Sequence, residues 1–572
     1  MSPRIQKPHV YPVPSNYELI KKVRASKTAT LNESKYIKPT TKLRYYQVVG
    51  TLNLLLLKYF ILGDEPGLGK TVQCLVAYAI LKTFQPDLQL IVFTTKSAKD
   101  QWGGEVDKFL QGLSYHVMKG SYKPKGGTRK ITGKDCRDAQ YLDQKNTDIF
   151  ISGYYPLTIE PNHIRSSRGG NLMVVFDEVH LLKNNKSKTY VGAEEFLNDV
   201  SMVYGLTATP IKNRLLEFYY VYKLIMPQLF PKVTWFKKEF CNEVLKNITP
   251  YSPTPKFISE IISYKNLPRF REIIDPYFFR RSADDVGSEL PGIVSRRIMI
   301  AMSPSQERLY SEAKKGIIQE RKVRQRYLEL LDKAGGNESL VPDKIKEMYQ
   351  DSLTGDFLKK HKTSSLVFCQ LASNGPQWLD PEETGNSTKE DALEDLLEGE
   401  LLDQKVVIYS RYNSGIPRLE KIADKLGIKH VKVTGSESDS NRTKAKNIFQ
   451  DPDSDVKIIF ITDAGSASIN LQVSGYLVLF DSPWTWGDLV QLVGRVRRLN
   501  SEHQFVLVYH LVEEGTIDER VLFVLKGKKE LVEKAVGPQP KGLLCFDGIE
   551  LESIGNNDGR SEVDILFDDI FG

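Results

Sequence analysis

Cysteine is scarce and scattered: Cys74, Cys136, Cys241, Cys369 and Cys545 stand singly in 572 residues, and no two form a Cys-x-x-Cys pair. That usage suits a reducing compartment and, with no His pair at helical spacing among eight histidines, argues against a structural zinc site. Long apolar runs are missing too. The longest, Leu52 to Leu62, is interrupted by Lys58 and falls short of the roughly 20 residues a membrane span needs, so no membrane partner is expected. The N-terminus lacks the apolar stretch of a secretory signal. The expected location is cytoplasmic, or the host cell interior if the chain is viral.

What is present is the composition of an ordinary globular protein, 41% apolar, 10% aromatic and 26% charged. At about 100 to 200 residues per domain the length allows three or four domains, which excludes a single small binding module. The net charge of +7 is modest, but it is unevenly spread. Residues 1–60 hold eleven Lys or Arg against two Glu, interleaved with Tyr and Phe, a mixture that suits a phosphate backbone. From Phe546 onward eight acids face one Arg.

Short apolar runs alternate with amphipathic stretches between about 40 and 240: Gln89 to Thr94, Thr147 to Ser152, Leu172 to Phe176 and Met202 to Leu206. This rhythm predicts a parallel α/β sheet. It returns at Val406 to Ser410, His430 to Val433, Ile458 to Thr462, Tyr476 to Phe480 and Phe505 to Tyr509. Between them lie long charged segments that read as helices, and 372–404 reads as a flexible or peripheral connection. The expected organisation is a basic extension over 1–38, a first lobe over 39–248, a helical protrusion and linker over 249–400, a second lobe over 401–535 and an acidic tail over 536–572.

The strongest local signal is Gly63-Asp64-Glu65-Pro66-Gly67-Leu68-Gly69-Lys70-Thr71. Gly67 and Gly69 let backbone N–H groups close around phosphate oxygens, Lys70 reaches the β and γ phosphates, and Thr71 is placed to ligate magnesium. The helical pattern Val72 to Leu81 then brings a helix N-terminus to the phosphates. About a hundred residues on, the apolar run Leu172 to Phe176 ends in Asp177-Glu178-Val179-His180. A carboxylate at a strand end can hold the metal through water while its neighbour orients the attacking water, so Asp177 and Glu178 divide those roles.

Together with Leu43-Arg44-Tyr45-Tyr46-Gln47, Lys96-Ser97 with Gln101-Trp102, Gly205 to Asn213, Phe279-Arg280-Arg281, Thr434-Gly435-Ser436 and Gln491 to Arg498, these motifs resemble, in order, those of the Swi/Snf-type ATPases of helicase superfamily two. The resemblance covers about Leu43 to Lys529 and implies two RecA-like lobes. It implies that Arg44 and Gln47 read adenine and that Asp64, Gly67, Leu68, Gly69, Lys70 and Thr71 hold ATP with magnesium on Thr71 and Asp177. Lys70, Asp177, Glu178, Gln491, Arg495 and Arg498 would carry catalysis. His180, Thr207, Thr209, Gly465 and Asn470 would couple hydrolysis to movement, and Lys96, Ser97, Trp102, Thr434, Gly435 and Ser436 would touch nucleic acid. Arg495 and Arg498, three apart on an expected helix, share one face, and the resemblance makes them arginine fingers. His180 either senses the γ phosphate or only caps a strand. Phe279 to Arg281 is expected to lead into the protrusion.

The implied activity is DNA-dependent ATP hydrolysis driving translocation on duplex or branched DNA. The alternatives are a strand-separating DNA or RNA helicase and a non-hydrolysing DNA-binding scaffold that recruits partners by its tails. Ser466 and Ser468 replace two glycines of the eukaryotic pattern, and Thr462-Asp463-Ala464-Gly465 looks more like bacterial and phage members. The final stretch, Glu562 to Gly572, mixes acids with Ile565, Leu566, Phe567, Ile570 and Phe571. It suits either a groove on a protein partner or the chain's own surface.

Overall fold

The computed structural model describes residues 11–126, 129–212, 214–247, 256–287, 290–379, 385–463, 469–499, 501–545 and 560–571. They form two compact units. One gathers the described residues up to Leu290 with Ile469 and Leu531–Pro540, and the other holds the rest from Pro291 onward.

The first unit is built on seven strands: β1 Tyr59–Leu62, β2 Gln89–Thr94, β3 Tyr115–Val117, β4 Ile149–Gly153, β5 Leu172–Asp177, β6 Met202–Leu206 and β7 Phe278–Phe279. All pair in parallel, in the order β7-β1-β6-β5-β2-β4-β3. Runs such as Leu-Ile-Val-Phe and Leu-Met-Val-Val-Phe are buried throughout, which is why they read as continuous apolar segments rather than as alternation. Because every strand points the same way, their C-terminal ends meet at one edge, where an α/β sheet places its ligands. That edge carries the phosphate loop after β1, Asp177 at the end of β5 and Thr207 just past β6.

The second unit repeats the plan with β8 Gly292–Ile300, β9 Val406–Tyr409, β10 His430–Val433, β11 Ile458–Ile461, β12 Tyr476–Leu479 and β13 Phe505–Glu513. They too are all parallel, ordered β8-β13-β12-β9-β11-β10. The expected α/β class therefore holds for both units.

The expected boundaries need correction. Residues 249–400 were read as helices and linker, yet β7 pairs with β1 in the first sheet and β8 pairs with β13 in the second. A hairpin of Cys241–Asn247 and Phe257–Tyr264 crosses position 248 as well. These strands sit at sheet edges or outside the sheets; β8 and Phe257–Tyr264 are half exposed and β7 has only two residues, so they lack the buried apolar run that marks a central strand. Helices do fill the middle, among them Pro304–Lys314, Ile317–Lys333, Asp343–Thr354 and Lys362–Asn374. The segment 372–404, read as a flexible or peripheral connection, contains the helix Thr388–Glu398, whose Leu393 and Leu397 are buried in one core with Val406 and Ile408. Its start was signalled by Ser387 and Glu390, which form a capping box.

Residues 11–38 are no loose basic extension either. Ile20 is fully buried, Arg24 Nε donates to Asn53 Oδ1 at 2.8 Å, and the Arg24 guanidinium lies 4.8 Å from the ring of Phe279. At the other end, Glu562–Phe571 forms a helix seated on Lys362–Asn374 of its own unit, with Ile565, Leu566, Phe567 and Ile570 buried. No helix among the described residues is long and apolar enough to cross a membrane.

Candidate functional site

The loop between β1 and the helix Lys70–Phe84 turns on two glycines. Gly67 and Gly69 have φ of 89° and 78°, a region that costs other residues about 1 to 2 kcal/mol, and a Cβ on Gly69 would come within 2.6 Å of Gln47 Nε2. Gly69 caps the helix without a side chain, leaving the first-turn N–H groups to face the loop's concavity as in an anion site. Lys70 Nζ reaches back over the loop to the carbonyls of Asp64 and Glu65, at 2.8 and 3.3 Å.

The acidic pair stands beside it. Asp177 Oδ2 accepts from Thr94 Oγ1 at 2.7 Å and from Trp102 Nε1 at 2.8 Å, and Tyr154 Oη donates to the Asp177 carbonyl at 2.7 Å. Burial and the neighbouring Glu178 push the Asp177 carboxyl above its ordinary range, while Trp102, Thr94 and the Lys70 charge pull it back. Glu178 adopts φ 54°, a left-handed turn that swings its side chain off the strand line. Its Oε2 lies 3.3 Å from His180 Nδ1, and that nitrogen lies 3.1 Å from Thr207 Oγ1 and 3.5 Å from Thr209 Oγ1. His180 thus joins the end of β5 to the segment after β6. Sequence reasoning left it between a γ-phosphate sensor and a strand cap; the side chain is buried between Glu178 and the two threonines.

Several expected ligands turn out to be supports. Asp64 is fully buried and its carboxylate is taken up by Arg281. Leu68 is also fully buried; only its carbonyl takes part, accepting from Gln47 Nε2 and Gln73 Nε2, both at 3.3 Å. Gln47 Oε1 accepts from Arg44 N–H at 3.0 Å, so the Arg44–Gln47 segment is bound to the loop. Trp102, expected on nucleic acid, is 2% exposed with its N–H on Asp177, so the indole is unable to stack on a base. Lys96 and Ser97 are exposed, as a contact surface requires.

In the second unit Gly435 and Ser436 are exposed, whereas Thr434 is 1% exposed and gives its N–H to Glu437 Oε2 at 2.7 Å. The helix Trp486–Val496 carries Gln491 and Arg495 but ends two residues before Arg498. Arg497 at its C-cap turns to ψ 96° and donates from Nε to the Pro291 carbonyl at 2.7 Å. The expectation of two arginines on one helix face is therefore corrected: Arg495 sits in the last turn and Arg498 on the segment that follows. Gly465 lies outside the described residues; Asn470 is half-buried.

Sequence reasoning missed Arg281 as part of the site, and its only cue was the pair Arg280-Arg281 after two phenylalanines. The geometry fits a nucleotide with a metal: a left-handed glycine cradle, a lysine across it, and the Asp177 carboxyl within reach of that lysine's field with Glu178 beside it. Thr71 and Asp177 are the side chains that could hold the ion.

Residues 58–352, just over half of the chain, match the family model of the SNF2-related domain. The chain belongs to the SNF2 family. Residues 388–500 match the model of the helicase conserved C-terminal domain. Among curated relatives the chain is similar to the DNA repair and recombination protein RAD54-like of Danio rerio, 26% identical over 499 residues, covering 82% of this chain and 63% of that protein. It is also similar to the ATP-dependent helicase FUN30 of Saccharomyces cerevisiae, 24% identical, covering 86% and 47%. The chain thus spans less than two thirds of the length of these relatives. A solved Sulfolobus solfataricus SWI2/SNF2 ATPase core in complex with dsDNA aligns at 21% identity and a TM-score of 0.37, covering 89% of this chain and 96% of that one.

Proposed function

We propose that this SNF2-family chain is a DNA-dependent ATPase that converts ATP hydrolysis into translocation along duplex or branched DNA, remodelling branched structures or displacing bound proteins. The observation that carries the reading is the Lys70, Asp177, Glu178 and His180 cluster at the C-terminal edge of the first sheet. Lys70 and the loop N–H groups would bind the phosphates, and Glu178 would orient the attacking water and accept its proton. A magnesium ion on Thr71 and Asp177 would supply charge neutralisation at the phosphates. His180 would pass the state of Glu178 to Thr207 and Thr209. Arg495 and Arg498 would add positive charge as the terminal phosphate leaves. The relatives' names, one a DNA repair and recombination protein and one an ATP-dependent helicase, support the same class.

The test is steady-state ATP turnover without nucleic acid and with duplex, single strand, junction and RNA, alongside triplex displacement for translocation. Duplex or junction stimulation with triplex displacement and no strand separation is the expected result. Separation of strands would favour the helicase alternative. Absence of turnover under every condition would leave the scaffold reading.

A further inference from the structure

Arg281 takes no part in the chemistry proposed above, yet its side chain donates four hydrogen bonds beside the phosphate loop. Its side chain is 8% exposed and meets Asp64, which is fully buried. Nε donates to Asp64 Oδ1 at 2.9 Å and Nη2 donates to Asp64 Oδ2, a two-pronged pair of the strong kind. Nη2 also donates to Gln73 Oε1 at 3.1 Å, and Gln73 Nε2 donates to Asp64 Oδ2 at 3.2 Å, which closes a three-membered ring of bonds. Nη1 donates to the Tyr46 carbonyl. The guanidinium plane lies 4.8 Å from the Phe279 ring and 5.6 Å from that of Tyr46.

These partners come from three different segments: the phosphate loop, the first turns of the helix behind it, and the helix Tyr45–Leu56 that carries Gln47. The strand backbone adds to the link, because Gly63 N–H donates to the Phe279 carbonyl and Glu65 N–H to the Arg281 carbonyl, at 2.7 and 3.0 Å. Arg280 alongside gives Nη1 to the carbonyls of Gly63 and Ala208, at 2.8 and 2.7 Å. The site is built to exclude anything larger. A Cβ on Gly50 would fall 1.7 Å from Gln73 Oε1 and 2.8 Å from Arg281 Nη2.

We propose that Arg281 is a positioning residue for nucleotide binding: through Asp64 and Gln73 it fixes the loop Gly63–Thr71 in the shape that receives phosphates. The assignment rests on the ATPase reading. A surface ion pair would do little, but this one is buried, so both charges depend on each other and on the loop between them. Lys70, Gln47 and Gln73 bind carbonyls of the loop, whereas Arg281 fixes it at the Asp64 carboxylate and the Glu65 N–H.

The experiment compares nucleotide affinity with turnover for Arg281→Lys, Arg281→Gln, Asp64→Asn and the double variant Arg281→Gln with Asp64→Asn, each checked for fold by thermal melting. Lysine keeps the charge and the stem but loses the fork. Arg281→Lys is expected to raise the KM for ATP and weaken binding of a fluorescent ATP analogue by about tenfold, with kcat at saturating ATP within about threefold of wild type. Asp64→Asn is expected to do the same. The double variant, whose two amides can bond without charge, is expected to bind nucleotide better than the product of the single losses predicts.

A folded Arg281→Lys chain with wild-type KM overturns the assignment, as does an unchanged KM with a fallen kcat. Loss of fold in Arg281→Lys also overturns it, because the pair is then a structural one. If the wild-type chain neither binds nor hydrolyses ATP, the ATPase reading fails and this assignment falls with it. An active wild type with an indifferent Arg281→Lys overturns this assignment alone.

Discussion

Trp102 Nε1 donates to Asp177 Oδ2 at 2.8 Å, and Thr94 Oγ1 donates to the same oxygen at 2.7 Å. Two neutral donors therefore converge on one carboxylate oxygen that burial and Glu178 push toward the protonated form. Each favours the charged state, the form able to hold a cation. The indole is part of the strand-end edge of the first sheet that carries Asp177, even though it comes from a helix expected to lie on nucleic acid.

Trp102→Phe should therefore lower DNA-stimulated kcat by about tenfold, since it removes one charge-assisted bond while keeping the ring. Without that donor the Asp177 pKa rises further, so the acidic limb of the pH–rate profile should move to higher pH. DNA affinity should stay unchanged. Duplex titrations that show a large loss of affinity with an unshifted pH profile would return Trp102 to the nucleic-acid surface.

Lys70→Ala, Glu178→Gln, Arg495→Ala and Arg498→Ala should each lose most of the DNA-stimulated turnover, because they serve phosphate binding, water activation and charge stabilisation. Glu178→Gln should retain ATP binding in a filter or fluorescence assay. Wild-type hydrolysis by a folded Glu178→Gln chain would mean that the catalytic carboxylate is elsewhere.

The second unit carries a buried acid whose titration should be visible in stability. Glu513 at the end of β13 is fully buried; Thr388 Oγ1 and Gln306 Nε2 donate to its Oε1 at 2.6 and 3.1 Å. Burial pushes its pKa up from 4.5 to about 7, against the pull of the Lys389 charge and with Asp518 adding to the rise. Between those pH values the folded chain holds a proton that the unfolded chain has released. Stability is thus full below about pH 4.5, falls as the pH rises toward 7, and levels off above it. The swing is on the order of 3 kcal/mol at most. Asp481, raised to about 6 by burial, acts with the same sign at lower pH. Urea midpoints of wild type should fall between pH 4.5 and about 7, and Glu513→Gln should flatten that fall. An equally steep fall in the variant would place the titration on another group.

Much of this architecture could be read from the chain because the central strands of each sheet are buried on both faces and therefore write continuous apolar runs. The phosphate loop and the Asp177-Glu178 pair were legible for a related reason: each follows a buried strand, and its chemistry needs particular residues at fixed spacing. Edge strands were not legible. β7 has two residues and β8 is half exposed, so neither carries a core strand's signature. Partnerships across long separations were hidden as well. Nothing local in Asp64 announces Arg281, 217 residues away, nor does Trp102 point to Asp177. The end of the arginine-bearing helix was misplaced because Gln-Leu-Val-Gly-Arg-Val-Arg-Arg is a good helical pattern throughout, whereas the Arg497 bond to Pro291 turns the backbone out after Val496.

Removal of residues 1–38, read from charge alone, would weaken DNA binding and spare basal turnover. The burial of Ile20 and Arg24 against the first unit gives a different expectation. Arg24 Nη1 donates to the Asp275 carbonyl at 2.7 Å, close to β7 and hence to the Arg281 segment. Deletion should lower the melting temperature of the first unit by several degrees, consistent with losing one fully buried aliphatic side chain and a buried guanidinium. An unchanged melting curve with reduced DNA affinity would restore the reading of this segment as a contact for the phosphate backbone.

The C-terminal helix separates two expectations that the sequence left level. Leu566 is fully buried, Ile565 is 3% exposed, and Lys362 pairs with Asp564 at 3.2 Å while its ammonium lies 4.9 Å from the Phe567 ring. The apolar side chains are therefore spent on the chain's own helix Lys362–Asn374, and a protein partner would have to displace them first. Leu566→Ala should cost about 2 to 5 kcal/mol of second-unit stability, as truncation of a buried leucine does. Removing residues 560–572 should lower the melting temperature and open an apolar face that binds a hydrophobic dye. A synthetic peptide of those residues, added to the truncated chain, should reverse both effects, and the same peptide with Leu566→Asp should not. A truncated chain that melts as wild type does and binds no more dye would show that the helix does not cover its own unit in solution, leaving the partner groove as its place.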